Sequence, residues 1–415
     1  MNPPTITPAA VLEHFRPGAV IYIPGAVGEL DFLRGLLAAD PGRLAGVTLV
    51  SGLVPGMNDF DYAGLNADAR LRVFMLSGAL RGSFDAGRVE LMPFAYTDTA
   101  AYLEQLQPDL AILHLAPQRD GDCSFGVCAD FGPIVARNAR SRIGVLNTAM
   151  PVPGFGPTWP MAKLDAVVEI DAPFRTYADP PPGDDLLALA AQVATLVPNG
   201  AAVQTGIGAA PAAVWRALTG HEGLRLRSGM VTDGFLQAYK AGAMTAGGHV
   251  AGVAYGGAEL LDWLDGQDRL TFADAFATHG PEALAEVTGL IAINSALEVD
   301  LLGQVNLEWQ GGRLISGVGG PPDFVRAARR SPGGRSILAL PATAKGGTIS
   351  RISARLNAPA PSLARSDLDT VITEYGVAQV RGLSLDRRAA ALIAIAAPAH
   401  RESLVAAWRD IRAIF

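Results

Sequence analysis

Short apolar runs recur along the chain, each stopped by glycine or proline. In the first half they are Val20–Ile23, Val47–Val50, Val73–Leu76, Leu110–Leu115, Ile143–Leu146 and Ala166–Ile170. Runs of this length that are apolar throughout predict strands buried on both faces, since a strand with one wet face alternates. Between them, Asp31–Ala39 and Thr99–Leu106 carry helical spacing. Strand alternating with helix predicts parallel sheets covered by helices. The pattern pauses at Tyr177–Asp185, YADPPPGDD, whose three consecutive prolines exclude a helix interior or a central strand. A second series follows. It has helical Asp185–Leu196, strand Ala201–Thr205, helical Pro211–Leu218, and strands at Val250–Tyr255, Leu290–Asn294, Ser336–Leu340 and Val371–Thr373. Helical Leu385–Ala396 closes it. The expected fold is α/β: two open, mostly parallel α/β domains, residues 1–180 and 186–415, with a linker at 177–185. The cleft between two such domains is the default place for a ligand.

Composition narrows the class. The chain has 415 residues, 49% hydrophobic and 18% charged, so a sizeable core is available. A net charge of −7 gives no electrostatic reason to seek nucleic acid. No apolar run approaches the roughly 18–20 residues of a membrane span, and the start lacks a signal-peptide pattern. The two cysteines, Cys123 and Cys128, exclude a disulfide framework and favour a reducing, cytoplasmic setting. They have no His or Cys cluster near them in sequence, and the six histidines form no HExxH, so no metal site is expected.

Three Gly-rich stretches carry candidate chemistry. Gln204–Pro211, QTGIGAAP, follows a strand and precedes a helix, where backbone N–H groups can approach a phosphate or carboxylate. It lacks the third glycine of a dinucleotide loop, because Pro211 stands there. The bland alternative is a tight turn. Ser316–Phe324, SGVGGPPDF, is a fixed loop with little side-chain bulk. Gly346–Arg355, GGTISRISAR, places Arg351 and Arg355 one helical turn apart if helical, suited to anionic phosphates or simply solvated.

Five motifs in order then become specific. QTGIGAAP, NSALEVDLLGQVN at Asn294–Asn306, SGVGGPPDF, TEYGVAQVRGL at Thr373–Leu383 and RRAAALIAIAAPAHRESL together resemble the acetyl-CoA hydrolase/transferase family, which includes 4-hydroxybutyrate CoA-transferase. The resemblance is strongest over residues 200–410. It continues more weakly through GDCSFGVCADF at Gly121–Phe131 and LNTAMP at Leu146–Pro151. It implies a class I CoA-transferase with the active site between two α/β domains, acting on acyl-CoA and a small carboxylic acid. Coenzyme A would be a substrate, no cofactor would be permanently bound, and the assembly would be a homodimer or larger. The implied chemistry is ping-pong: a glutamate attacks the thioester, forming an anhydride and then a glutamyl-CoA thioester. The family's CoA-cradling loops fall on Gly206, Gly208 and Pro211 and on Gly317, Gly319 and Gly320, with Arg351 as a further CoA contact.

The chain departs from the family pattern at two places. The stretch that carries the nucleophilic glutamate in relatives reads RSGMVTDG here, Arg227–Gly234, with Gly229 at the glutamate position. Relatives carry an asparagine just before a proline where this chain has Thr278–His279–Gly280–Pro281. Three readings follow. Another carboxylate serves, from Glu29, Asp59, Asp61, Glu169 or Glu298. Glu298 shares a side with Asp300 if extended, the bland role being a turn cap; Glu29 would equally cap a helix. Or the site is a thioesterase, with His279 as general base and Ser228 as nucleophile if a base reaches it; otherwise each is a structural residue. Or the protein binds CoA esters without turnover. Glu374, Tyr375 and His400 are read as structural.

Overall fold

In the computed structural model, which describes residues 3–117 and 121–415, the apolar runs of the first half become one sheet. Its strands are β1 (Val20–Tyr22), β2 (Thr48–Ser51), β3 (Arg70–Val73), β4 (Val89–Leu91), β5 (Leu110–Pro117), β6 (Asp122–Ser124), β7 (Ser141–Asn147), β8 (Thr158–Pro160) and β9 (Ala166–Ile170). The parallel part runs β4-β3-β2-β1-β5-β7-β9, with β6 and β8 added antiparallel at the end of β5. β5 is buried from Leu110 to Ala116, as an all-apolar run requires. β3 lies three residues earlier than the apolar run Val73–Leu76. There the ruling pattern is alternation: Leu71 and Val73 face the core, while Arg72 donates to Glu90 (2.7 Å) and to the Tyr102 hydroxyl (2.8 Å).

The second half builds another parallel sheet from β10 (Ala202–Thr205), β11 (Arg225–Leu226) and the strands Leu290–Ser295, Arg335–Ala339 and Thr370–Thr373. An antiparallel strand, Gly376–Gln379, closes one edge. Helices Asp184–Ala194, Ala209–Ala217 and Leu385–Ala394 lie close to the expected positions. Two expectations need correction. The Gly346–Arg355 stretch is not helical: it holds short strands Ile349–Ser350 and Ile352–Ser353, so Arg351 and Arg355 do not stand on successive helical turns. The reason is the turn before them, where Lys345, Gly346 and Gly347 all take positive φ (49°, 65° and 91°). The Val250–Tyr255 run splits into His249–Ala251 and Val253–Tyr255, which pair with different partners on either side of Gly252.

The compact units are not the contiguous halves 1–180 and 186–415. The first runs to Ala178 and also takes in Gly229–Val231 and His249–Gly280; the second comprises Asp179–Ser228, Thr232–Gly248 and Pro281–Phe415. Backbone bonds explain this capture. Ala129 donates to the carbonyl of Gly252, Ala254 to Val127, Ala275 to Asp130 and Phe272 to Phe155. These long-range bonds leave no trace in composition, so the proline-rich stretch alone could not place the division. Among the described residues, no helix is long and apolar enough to cross a membrane.

His114, on β5, is a buried polar member of the first unit's core. Its Nδ1 donates to the carbonyl of Gly28 (3.0 Å), and its Nε2 accepts from Asn147 (3.1 Å), so the ring is neutral with its proton on Nδ1. Burial lowers its pKa from 6.5 to about 4. The unfolded chain therefore takes up a proton between these values that the folded chain refuses, and stability falls as pH drops through that window. The expected loss from this residue is about 3 kcal/mol between pH 6.5 and 4. Urea unfolding measured across that range should show a slope smaller by one proton in His114→Gln, whatever its absolute stability.

Candidate functional site

Gly229 lies where a strand, Met230–Thr232, begins its pairing with Val253–Tyr255 in the first unit. Its carbonyl accepts from the backbone N–H groups of Gly252 (3.0 Å) and Val253 (3.1 Å). His279 ends the short helix Ala275–His279, which Asp274 caps by accepting from Ala277 (3.1 Å). The imidazole is 3% exposed and stacks on Tyr96, with ring centroids 4.2 Å apart and planes 26° apart. Thr278 Oγ1 lies 2.8 Å from Nδ1 and within reach of the carbonyls of Asp274 (3.1 Å) and Ala275 (3.4 Å). The arrangement that satisfies all three has the hydroxyl donating to the carbonyls and accepting from Nδ1–H. Thr97 donates to the His279 carbonyl (3.0 Å). A β-carbon on residue 229 would stand 2.8 Å from Nε2 of His279 and closer still to Cε1. The imidazole thus fills the space in which any side chain at 229 would start.

Behind His279 is a buried acid. Tyr96 donates its hydroxyl to Asp130 (2.7 Å) and stacks on Phe131. Asp130 also accepts from the Phe131 N–H (2.8 Å). Burial raises its carboxyl above the usual range. The phenols of Tyr22, Tyr96 and Tyr255 are pushed well above 10, by burial first and then by the charge of Asp130. Burial lowers the pKa of His279 from 6.5 to about 3, so the ring is neutral at neutral pH. Sequence reading missed Tyr96 and Asp130. The signal for Asp130 was an acid inside the apolar stretch Phe125–Phe131; Tyr96 offered none.

The second unit holds Ser228 and the Gly-rich loops. Its sheet reverses direction of growth between β10 and Leu290–Ser295, and loops at the carboxyl ends of strands beside such a reversal are the usual ligand site. At that reversal Gln204 and Asn294 exchange two amide hydrogen bonds (3.2 and 3.1 Å). Ser228 is buried and donates its hydroxyl to the carbonyl of Thr205 (3.0 Å), the backbone-bonding role. Gly206 faces open space, and Gly208 has φ 104°, which requires glycine there. The Gly208 N–H, the donor expected to meet an anion, donates to Asp179 (2.6 Å), a carboxylate of the chain itself. Pro211 is buried in helix Ala209–Ala217. Gly317, Gly319 and Gly320 lead into helix Pro321–Arg330, whose two opening prolines remove two of the N–H groups an anion would use.

Glu298 is 7% exposed and accepts from Asn357 through its backbone N–H (3.2 Å to each oxygen) and its side-chain amide (2.6 Å). Asp300 instead accepts from Leu302 (3.1 Å) and twice from Gln304 (2.8 Å each), closing a turn, so the two acids are not a working pair. Glu298 and Arg351 line one 670 Å³ cavity of the second unit. Glu374 accepts from the Ala342 N–H (2.7 Å) at a strand end. Glu29 does not cap the helix Asp31–Ala39; it is buried against Asn58, Tyr62 and Arg175. Asp61 caps Gly64, while Asp59 and Glu169 are exposed. Among the described residues no group of His, Cys, Asp and Glu is arranged to hold a metal.

Comparison with known proteins follows the same lines. Residues 256–408 match the model of the acetyl-CoA hydrolase/transferase C-terminal domain. The 4-hydroxybutyrate coenzyme A transferase of Clostridium kluyveri is 33% identical over 391 residues, 92% of this chain and 91% of that protein. The structure of 4-hydroxybutyrate CoA-transferase from Porphyromonas gingivalis superposes with a TM-score of 0.82 at 28% identity, covering 99% of this chain and 98% of that one. RipA from Yersinia pestis superposes with a TM-score of 0.90 at 26% identity, covering 99% and 97%. The chain is therefore an α/β protein of the CoA-transferase type and belongs to the acetyl-CoA hydrolase/transferase family.

Proposed function

We propose that this protein moves CoA between a short acyl-CoA and a small carboxylic acid, and that no glutamyl intermediate forms at position 229. The observation that carries this reading is the fit of Gly229 against the neutral imidazole of His279. The acceptor carboxylate attacks the thioester carbonyl, the carbon–sulfur bond breaks, and CoA leaves as thiolate. The mixed anhydride of the two acids is then attacked at the acceptor's carbonyl by that thiolate. A new thioester forms, the donor acid leaves as carboxylate, and no proton is gained or lost overall. Substrates are freely diffusing small molecules, with no resident cofactor, and the setting is the cytoplasm with the chain in a homodimer or larger assembly.

The basicity of His279 weighs against hydrolysis as the alternative. Water must lose a proton to become an effective nucleophile, and an imidazole with a pKa of about 3 is a poor acceptor for it. A carboxylic acid arrives already ionised at neutral pH and needs no base. Ser228 is disfavoured as nucleophile because its hydroxyl is committed to a backbone carbonyl. Glu298 is held in place by Asn357.

Kinetics test the route. With acetyl-, propionyl-, butyryl- or succinyl-CoA and free acids, initial-rate lines should intersect, and intact-mass spectra should show no hydroxylamine-sensitive CoA adduct. Parallel lines with an adduct would mean that a relocated carboxylate runs ping-pong chemistry; CoA release independent of acceptor would mean a hydrolase.

The steric pair gives a second expectation. Gly229→Ala should cost about 1–3 kcal/mol of stability by overpacking. Combining it with His279→Ala should recover much of that loss, a coupling that a double-mutant cycle of thermal unfolding measures. Gly229→Glu alone should gain no transferase activity. Gly229→Glu with His279→Asn should gain an acyl-CoA-dependent adduct mapping to residue 229.

A further inference from the structure

We propose that the second unit carries an anion site at the far end of its sheet, where Arg329, Arg365 and Arg388 meet, and that its ligand is a small phosphate dianion. Gln204–Pro211 follows the carboxyl end of β10. The arginines gather at the other end. Arg329 lies in the last turn of helix Pro321–Arg330, which leads into strand Arg335–Ala339, and residues 364–369 lead into strand Thr370–Thr373. Both strands run parallel to β10 through Leu290–Ser295. Two of the arginines grip one turn, which the Asp367 N–H closes by donating to the carbonyl of Ala364 (2.8 Å). Arg329 Nη1 donates to the carbonyl of Ser366, and Arg388 Nη1 donates to the carbonyls of Arg365 (2.6 Å) and Leu302 (3.1 Å). Arg365 and Ser366 are successive residues, so the two guanidiniums are brought side by side.

The charge of this group is unbalanced. Asp367 is its paired acid, 3.4 Å from Arg326 and 4.0 Å from Arg329. One carboxylate thus serves a group of four guanidiniums, counting the exposed Arg365. The neighbouring acids are engaged elsewhere: Asp369 accepts from the Ser336 N–H (3.2 Å), and Asp386 pairs with Arg412 (3.2 Å). The Nε groups of Arg329 and Arg388 are buried without a hydrogen-bond partner, and the Nη2 groups make no hydrogen bond within the chain. A buried guanidinium N–H left unmet is destabilising. Burial lowers the proton affinity of Arg388, and the charges of Arg329 and Arg365 push the same way. Arginine keeps its charge all the same, so the repulsion stands until an anion offsets it. Guanidinium forks match phosphate oxygens two at a time, and a phosphate carries nearly two negative charges. The net charge of −7 opposes long polyanions, so the ligand that fits is small. The assignment does not depend on the transferase reading.

Titration calorimetry of the full chain with orthophosphate, in chloride buffers of matched ionic strength, tests this. Wild type should bind phosphate saturably, with saturating CoA present or absent, and phosphate should raise the melting temperature through that binding. Arg365→Gln and Arg388→Gln should each weaken binding about tenfold, the order of one lost charge-assisted hydrogen bond. Arg365 is exposed, so its variant should fold even if Arg388→Gln, which unties two loops, does not. Arg387→Gln removes an equal charge from the same helix and should leave binding unchanged. Glycerol 3-phosphate that binds more tightly than orthophosphate, with the same dependence on Arg365, would support the site and make an organic ester its ligand. No saturable binding in wild type, or equal weakening by Arg387→Gln and Arg365→Gln, would overturn the proposal. Phosphate that CoA displaces, and that Arg365→Gln binds as wild type does, would overturn it too, while leaving the transferase reading in place.

Discussion

Two atoms cannot share one place, and that exclusion between residue 229 and the ring of His279 governs the rest of the first unit's site. The ring is immobile because it is held on several sides: stacked on Tyr96, tied through Nδ1 to Thr278, and anchored by Thr97 at its carbonyl. Tyr96 in turn is fixed by Asp130 and Phe131. Gly229 cannot retreat either, because its carbonyl receives two N–H groups from the strand beside it. A conflict at this point has no soft side into which to relax, unlike a clash with the far end of a lysine.

The same burial that fixes the ring also sets its chemistry. An imidazole stripped of water loses its affinity for a proton. It remains a polar, uncharged wall across the physiological range. Asp130 responds to the same dry surroundings in the opposite direction, holding its proton more tightly. Burial thus moves both groups in the direction of their neutral forms.

Much of the fold was legible because apolar runs such as Leu110–Leu115 and Ile143–Leu146 are buried on both faces and have no other stable use. β3 was displaced because its pattern alternates, with arginines on the outer face. Whether the Arg351 segment is helical stayed open in the sequence, because positive φ at Lys345 is a property of backbone, invisible in a lysine. At the site, the loss of a carboxylate at Gly229 and the change around His279 were readable. That they touch was not readable, since the two residues are 50 positions apart and meet only because segments 229–231 and 249–280 join the first unit. The role of Gly208 was half legible: a donor aimed at an anion is there, but its partner is Asp179 from the proline-rich stretch.

The Gly229–His279 contact also constrains history. If the ancestor carried glutamate and asparagine at these places, the two changes could not have arrived in either order with equal ease. Histidine entering first would have met a side chain at 229 and destabilised the fold. Glutamate giving way to glycine leaves only a gap, which the larger ring can then fill. On that premise the carboxylate goes first, and with the imidazole in place a single step from glycine to glutamate leads through a collision.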